Sequence, residues 1–428
     1  INDDICVEKY YKVYFMRMSV ESMLVIGLLS FVCLLGSCEE GKKKSKRQTL
    51  DSCNVIASRD YIDGEDFLTC NLSEVKDTFN ISLSSLVSSL EVVRLENSEE
   101  AFVDTEGHTL VSDNYIGIYS VMTSQYKLFG RDGKFLNNIG TKGQGPNEYY
   151  AVYDSYIDEK NNRIFLFPWM DKKILVFDLK GNPLPTIPLP YLVHKGKFQI
   201  DVDKKEITIL VLPFSDTKSV VWRQDFNGNL IQEVKSLSFV IDPGDYSNEV
   251  YSWQNTENID FSLSHWEPKE DTLYQYKIVS NVLQPKLTIK FGSKEIVRHF
   301  YVDLPNHYLI KLVNPQFPDE SGQFITPRSP QIIIDKSSLK GCYCNLKIDL
   351  LGNIDGPAWT TYNRGYFIAN IYPEELKAQI KRSLLSPALL SPAIKQKISN
   401  LNKIITEDDN NIILIGKLKE SLLNSIEK

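Results

Sequence analysis

From residue 89 onward the chain alternates short apolar runs with polar turns, and the pattern repeats. Residues 129–136 (FGRDGKFL) match 177–184 (FDLKGNPL), and 224–231 (QDFNGNLI) match both. The glycines at their centres, Gly133, Gly181 and Gly228, are 48 (181 − 133) and 47 (228 − 181) positions apart. Each lies between two apolar runs, where a tight hairpin needs a residue that tolerates positive φ. A second mark repeats in phase with the first. Ile157-Asp158 precedes Ile164, and Ile200-Asp201 precedes Ile207, each pair of isoleucines being seven positions apart. In the second unit the runs predict strands at about 151–157, 163–168, 173–178 and 184–189. Four short strands per repeat of roughly 40–50 residues is the signature of a propeller blade. Dividing 89–428 in this way predicts an all-β fold, a six-bladed β-propeller. The fourth blade falls at 249–291, the fifth at about 307–348, and the sixth starts near Trp359.

The sixth unit breaks the pattern. After strand material at 362–371, Pro373 opens helical spacing that resumes at Pro392, so a small helical insertion is expected over about 373–405. The last strand, 412–418, leaves that blade one strand short. The apolar run 89–95 is spare at the other end and is expected to complete blade six and close the ring, removing exposed strand edges.

The amino-terminal part has a different character. Residues 23–35 (MLVIGLLSFVCLL) are uncharged. Thirteen residues are short for a bilayer span, which takes roughly 20, and fit the apolar core of a signal peptide. Leu35-Gly36-Ser37-Cys38 follows. An aliphatic residue, two small residues and a cysteine resemble a bacterial lipobox, with Cys38 as the lipid attachment site; several acyl chains would anchor the chain stably. Residues 1–15 carry Asp3, Asp4 and Glu8 and read as a non-native upstream extension, with 16–37 as the signal peptide. Residues 38–88 read as a lipidated tether and a loosely structured lead-in, and 89–428 as the propeller. Lys42, Lys43, Lys44, Lys46 and Arg47 suit a solvated tether or contact with anionic head groups. Cys53 and Cys70 could pair in an oxidising envelope.

Composition agrees with a folded domain. The 428 residues are 42% hydrophobic and 24% charged, with net charge −7. That balance argues against nucleic acid as a partner, which requires a basic face. Five histidines and seven cysteines leave little for a metal cluster or a disulfide scaffold.

Together, 129–140 (FGRDGKFLNNIG), 143–149 (GQGPNEY), 173–178 (KILVFD) and 407–410 (EDDN) before an aliphatic strand resemble the six-bladed β-propeller lipoproteins of Bacteroidota, relatives in shape of NHL-repeat propellers. Asn147 and Asn411 stand where that family usually has glycine and proline. The resemblance implies a cell-envelope lipoprotein on the outer membrane or a periplasm-facing membrane. Surface exposure is compatible with the acidic pair Glu39 and Glu40. It brings no activity and no catalytic set.

In a propeller, loops between blades and loops between a blade's second and third strands share one face. Here that face collects 143–149, 168–172, 213–218, 265–271 and 326–330. Its candidate ligand-binding residues are Tyr149, Trp169, Asp171, Asp216, His265, Trp266 and Arg328. Each also has a structural reading: tryptophans packing between blades, a connector at 143–149, a satisfied loop histidine. Cys342 and Cys344 alternate on a strand and read as buried small residues rather than the alternative, a strained redox pair. Neither a His-Glu-x-x-His helix, a Gly-x-Ser-x-Gly elbow nor a P-loop is present. No catalytic residue, metal ligand or cofactor is assigned. The sequence therefore favours a lipoprotein that binds or scaffolds a glycan, a peptide or an envelope protein. The alternative is a metal-assisted propeller lyase or hydrolase acting on glycans or peptides; an apolar channel would favour the binder and a metal at the channel mouth the enzyme.

Overall fold

The structure is a computed structural model and describes residues 50–420 apart from 106, 242–245, 315–316, 319–323, 326–328 and 387–389. Residues 108–139 form blade one, 152–193 blade two and 196–235 blade three, each a four-stranded antiparallel meander. Blade four uses 249–290 and blade five 299–348. Blade six combines Thr361–Asn363, Tyr366–Ile371 and Ile412–Lys417 with Glu91–Arg94. The apolar core is divided into six clusters, and each joins two neighbouring blades: one with two, two with three, and so on to six with one. Six interfaces between six blades describe a closed ring.

The repeated sequence marks are the two hairpins at the lower end of a blade. Ile157 faces Ile164, and Ile200 faces Ile207, across the turn between first and second strands. The glycines occupy the turn between third and fourth strands, with φ of +86° at Gly133, +84° at Gly181 and +86° at Gly228. A Cβ on Gly133 would lie 2.0 Å from the Arg94 carbonyl oxygen of the preceding blade. At Gly181 it would lie 2.9 Å from that of Asn138, also on the preceding blade. So the glycine serves two needs at once: a left-handed turn, and a close approach of one blade to the next.

Ring closure falls to the run at 89–95, as its isolation in the sequence suggests. Val93 pairs with Ile413 and Val92 with Leu414. The polar turn before the last strand locks the seam. Asp409 accepts hydrogen bonds from Arg94 (2.9 Å) and Asn97 (2.8 Å). Buried Asn410 accepts from the Val103 amide (3.2 Å) and donates to the carbonyls of Ala101 (2.8 Å) and Glu96 (2.9 Å). Residues more than three hundred positions apart are thereby held as one unit.

Two expectations need correction. Blade five begins at His299, not His307, because His299–Asp303 is its innermost strand. The lead-in is not loosely structured. Ala57–Ile62 and Glu65–Asn71 form a hairpin whose second strand pairs parallel with Val282–Lys290, extending blade four outward. Thr78–Ser82 pairs parallel with the outer strand of blade five, and a short helix α1 (Leu83–Leu86) follows it. Leu68, Cys70, Leu72 and Val75 join the core between blades four and five. The helical insertion is as expected: α2 (Pro373–Leu384) and α3 (Pro392–Ile404) bury Leu376, Ile380 and Ile398 against blades five and six. Residues 1–49, with the signal-like segment and Cys38, lie outside the described residues.

The seam carries a pH signature. Burial alone would raise the Asp409 carboxyl, but hydrogen bonds from Thr406, Asn97 and Arg94 bring it down to about 2. Its folded value lies below its unfolded one, so its stabilisation is complete above about pH 4 and is lost as pH falls toward 2. Asp409→Asn should therefore lower stability by about 1–3 kcal/mol at pH 7. Urea melts at stepped pH should show the gap between variant and wild type closing below pH 4.

Candidate functional site

The upper face of blades two to four carries a connected set of aromatic and polar side chains. Trp169 and Met170 make the two-residue turn between the second and third strands of blade two. Its tightness is met by Met170 at φ +57° and by the Trp169 amide bonding the Ala151 carbonyl at 2.9 Å. This lifts the indole out of the sheet. Its ring centroid lies 5.6 Å from Tyr150, on the loop from blade one, and 6.1 Å from Tyr246, on the loop between blades three and four. Tyr246 in turn lies 5.0 Å from Phe214 and 5.9 Å from His194. Tyr150 is 61% exposed and Tyr246 38%, so the run presents ring surface to solvent.

Polar groups edge this run. His194 Nε2 lies 3.2 Å from the Asp216 carboxylate, and the Tyr246 hydroxyl lies 3.4 Å from His194 Nδ1. Asp216 is 58% exposed, so its second oxygen, which also accepts from the Thr217 hydroxyl (3.4 Å), can take a further donor. On the blade-four side, Trp266 is 60% exposed, with the Arg298 guanidinium 5.6 Å from its ring centre. The segment 246–248 joins the two halves. The Trp266 amide donates to Asn248 Oδ1 (2.7 Å), and Arg298 donates to the Ser247 carbonyl (2.9 Å).

A buried ionic knot holds that segment from below. Lys195 donates to the carbonyls of Tyr246 (2.6 Å) and Asn248 (3.0 Å) and pairs with Glu249, which also accepts from the Tyr153 hydroxyl. Burial first, and then the Glu249 charge, push the Tyr153 phenol well above its ordinary value, so it stays a donor. The inner strands are polar in other places too, contrary to the apolar channel that would have favoured a binder. His108, on the innermost strand of blade one, is exposed, its ring centroid 6.3 Å from that of Tyr153. Arg364, in the lower turn of blade six, reaches Gln254 of blade four (2.5 Å) and the Phe198 carbonyl of blade three (3.1 Å), and its guanidinium lies 4.9 Å from the Tyr156 ring of blade two. One side chain thus ties four blades together across the axis. Among the described residues no group of three His, Cys, Asp or Glu is placed to hold a metal ion.

The sequence candidates separate on this surface. Trp169 and Asp216 fall in one group, and His265 and Trp266 in the adjoining one. His265 is engaged by Asp271 at 2.8 Å and is mostly buried, a satisfied loop histidine. Asp171 starts the third strand of blade two and accepts the Lys172 amide (2.6 Å). Tyr149 does not belong to the face. It is 1% exposed, donates to the Ile139 carbonyl (3.0 Å) and accepts the Tyr126 amide (2.9 Å). Its loop is a connector: Glu148 accepts the Gly145 amide (2.8 Å), and a Cβ on Gly143 would fall 1.9 Å from that carboxylate. Arg328 lies outside the described residues. Tyr150, His194, Tyr246 and Arg298 were missed. Tyr150 was within reach, since the neighbour of a buried strand residue points the other way. A cleft of about 560 Å³ also lies between α2 and the end of blade five, lined by Asp349, Gln379, Arg382 and Leu390, with no aromatic side chain.

Residues 67–417 match the domain of unknown function DUF4934. The chain belongs to this family. The match begins within the 65–71 strand, so it includes the part of the lead-in from residue 67 onward. A candidate exported protein of Bacteroides fragilis shares the fold at 14% identity, with TM-score 0.53, over 82% of this chain and 99% of its own. A DUF4221 member from Bacteroides vulgatus is similar at 12% identity, with TM-score 0.40, over 78% of this chain and 97% of its own. Among curated protein sequences nothing matches.

Proposed function

We propose that this DUF4934 protein is an envelope lipoprotein, held by acylated Cys38, whose upper face over blades two to four binds carbohydrate. The observation that carries the reading is the contact series Tyr150–Trp169–Tyr246, with Trp266 beside it. Aromatic rings exposed on a rigid scaffold cover the apolar faces of sugar rings and lose little side-chain freedom in doing so. Asp216 and Arg298 at the edges supply an acceptor and a donor for hydroxyl groups. The surface is open rather than enclosed, which suits a chain ligand passing across it. The helical insertion makes its contacts on blades five and six, on another sector of the ring.

Two experiments test the two halves of this reading. Titration of the protein with a panel of soluble plant and host oligosaccharides should quench tryptophan emission. Trp169→Ala and Trp266→Ala should each weaken the best binder by about 10–100-fold, the loss of one buried aromatic contact. A folded double variant that binds that oligosaccharide as wild type does would remove this face from consideration. Separately, cells fed a labelled fatty acid should label the protein and retain it in the membrane fraction, and Cys38→Ser should abolish both. Label that persists in Cys38→Ser contradicts the anchor.

A further inference from the structure

Blade five meets the lead-in along its outer edge in two different ways. Thr78–Ser82 pairs with 343–347 in parallel, while the stretch just before it runs antiparallel. Val55 pairs with Lys340 there, the Gly341 amide donates to the Asn54 carbonyl at 3.0 Å, and the Ile56 amide to the Leu339 carbonyl at 3.0 Å. These pairings share one register, and carried one step further, to the end of the Leu50–Ser52 turn, it would set Cys53 opposite Cys342. Hydrogen-bonded and open pairs alternate in an antiparallel ladder, and 54 with 341 is hydrogen-bonded, so 53 with 342 would be an open pair. Open pairs bring Cα atoms to about 4.5 Å, within the span of roughly 4.4–6.8 Å that a disulfide bridges.

The surroundings agree with the register. Both sulfurs belong to the core cluster between blades five and six, with Cys53 5% exposed and Cys342 0%. The two thiols are in hydrogen-bonding contact, and burial raises both above the ordinary value. Cys70, the partner suggested by sequence order, is elsewhere: it faces Ala57 and Ile289 in the core between blades four and five. The four described thiols are unbonded.

We propose that Cys53 and Cys342 are an oxidation site, joined as a disulfide when the chain folds in an oxidising compartment. The thiolate of one attacks a donor disulfide of the thiol–disulfide oxidant class, forming a mixed disulfide and releasing one donor thiol. The second cysteine's thiolate then attacks the mixed disulfide and releases the other donor thiol. The protein gives up two electrons and two protons, and the donor disulfide is reduced to two thiols. Burial slows this chemistry once blade five is complete, so the bond forms while the lead-in is docking. The product links the chain fifteen positions after Cys38 (53 − 38) to the outer strand of blade five. A pull on the tether is then borne by a covalent bond and not by the Ala57–Ile62 hairpin.

The inference rests on the envelope location proposed above, so the test supplies the redox poise itself. The full chain is reduced, denatured and refolded in oxidised and reduced glutathione, and the folded fraction is alkylated and digested with trypsin and chymotrypsin. Chymotrypsin cuts after Tyr343 and separates Cys342 from Cys344. The expected result is a Cys53 peptide joined to a Cys342 peptide, two hydrogens lighter than the reduced pair. Cys344→Ser should keep that link, and reduction should lower the thermal midpoint by about 5 °C. Cys53 and Cys342 each recovered alkylated from folded protein would overturn the inference, as would Cys53 joined to Cys70 or Cys342 joined to Cys344. Such a failure bears on the pairing alone, since export plays no part in the experiment.

Discussion

The ring has to be closed where the two ends of the propeller sequence meet, and the way it is done organises the rest. An open six-blade array would expose the third strand of blade six, Ile412–Lys417, whose residues are almost all buried in the ring. Pairing with Glu91–Arg94 removes that edge, and the Asp409–Asn410 turn fixes the strand that arrives from the far end of the sequence. Closure stabilises all six inter-blade cores together, because each cluster shares blades with the next.

The same constraint explains the lead-in. Outer strands of propeller blades are exposed edges, and those of blades four and five are covered by Glu65–Asn71 and Thr78–Ser82. The chain that would otherwise be a tether becomes a girdle on two blades, and it brings Cys53 to Cys342. With the ring closed and two of its edges covered, the upper loops hang on a fixed frame. The Lys195–Glu249–Tyr153 knot and Arg364 then tie neighbouring blades below the aromatic surface. A rigid frame under exposed rings is what makes those rings useful for binding, since little order has to be imposed when a ligand arrives.

Local physics made the blades legible. Gly133, Gly181 and Gly228 sit in turns that demand positive φ, and the Ile157/Ile164 and Ile200/Ile207 pairs face each other across hairpins, so both left marks at fixed spacing. His299–Asp303 left none, because every residue of that innermost strand is buried and no alternation survives. The lead-in was misread for the opposite reason. Ala57–Ile62 is largely exposed, and its companion strand finds its partner more than two hundred residues away, a pairing no window of sequence contains. The candidate face is of that kind also. Trp169 and Asp216 were visible as loop residues, but Tyr246 and His194 come from separate inter-blade loops and meet only when the ring forms. Tyr149 was drawn from the right loop and points into the core.

Amide hydrogen exchange on the intact protein tests the closure most directly. If the seam carries the ring, the amides of 91 and 93, which face Ile415 and Ile413, and those of 412–415 exchange as slowly as those of the buried strands of blade three, by global unfolding and with the same denaturant dependence. Exchange at these amides through a local opening, while blades two to four stay protected, would contradict the account.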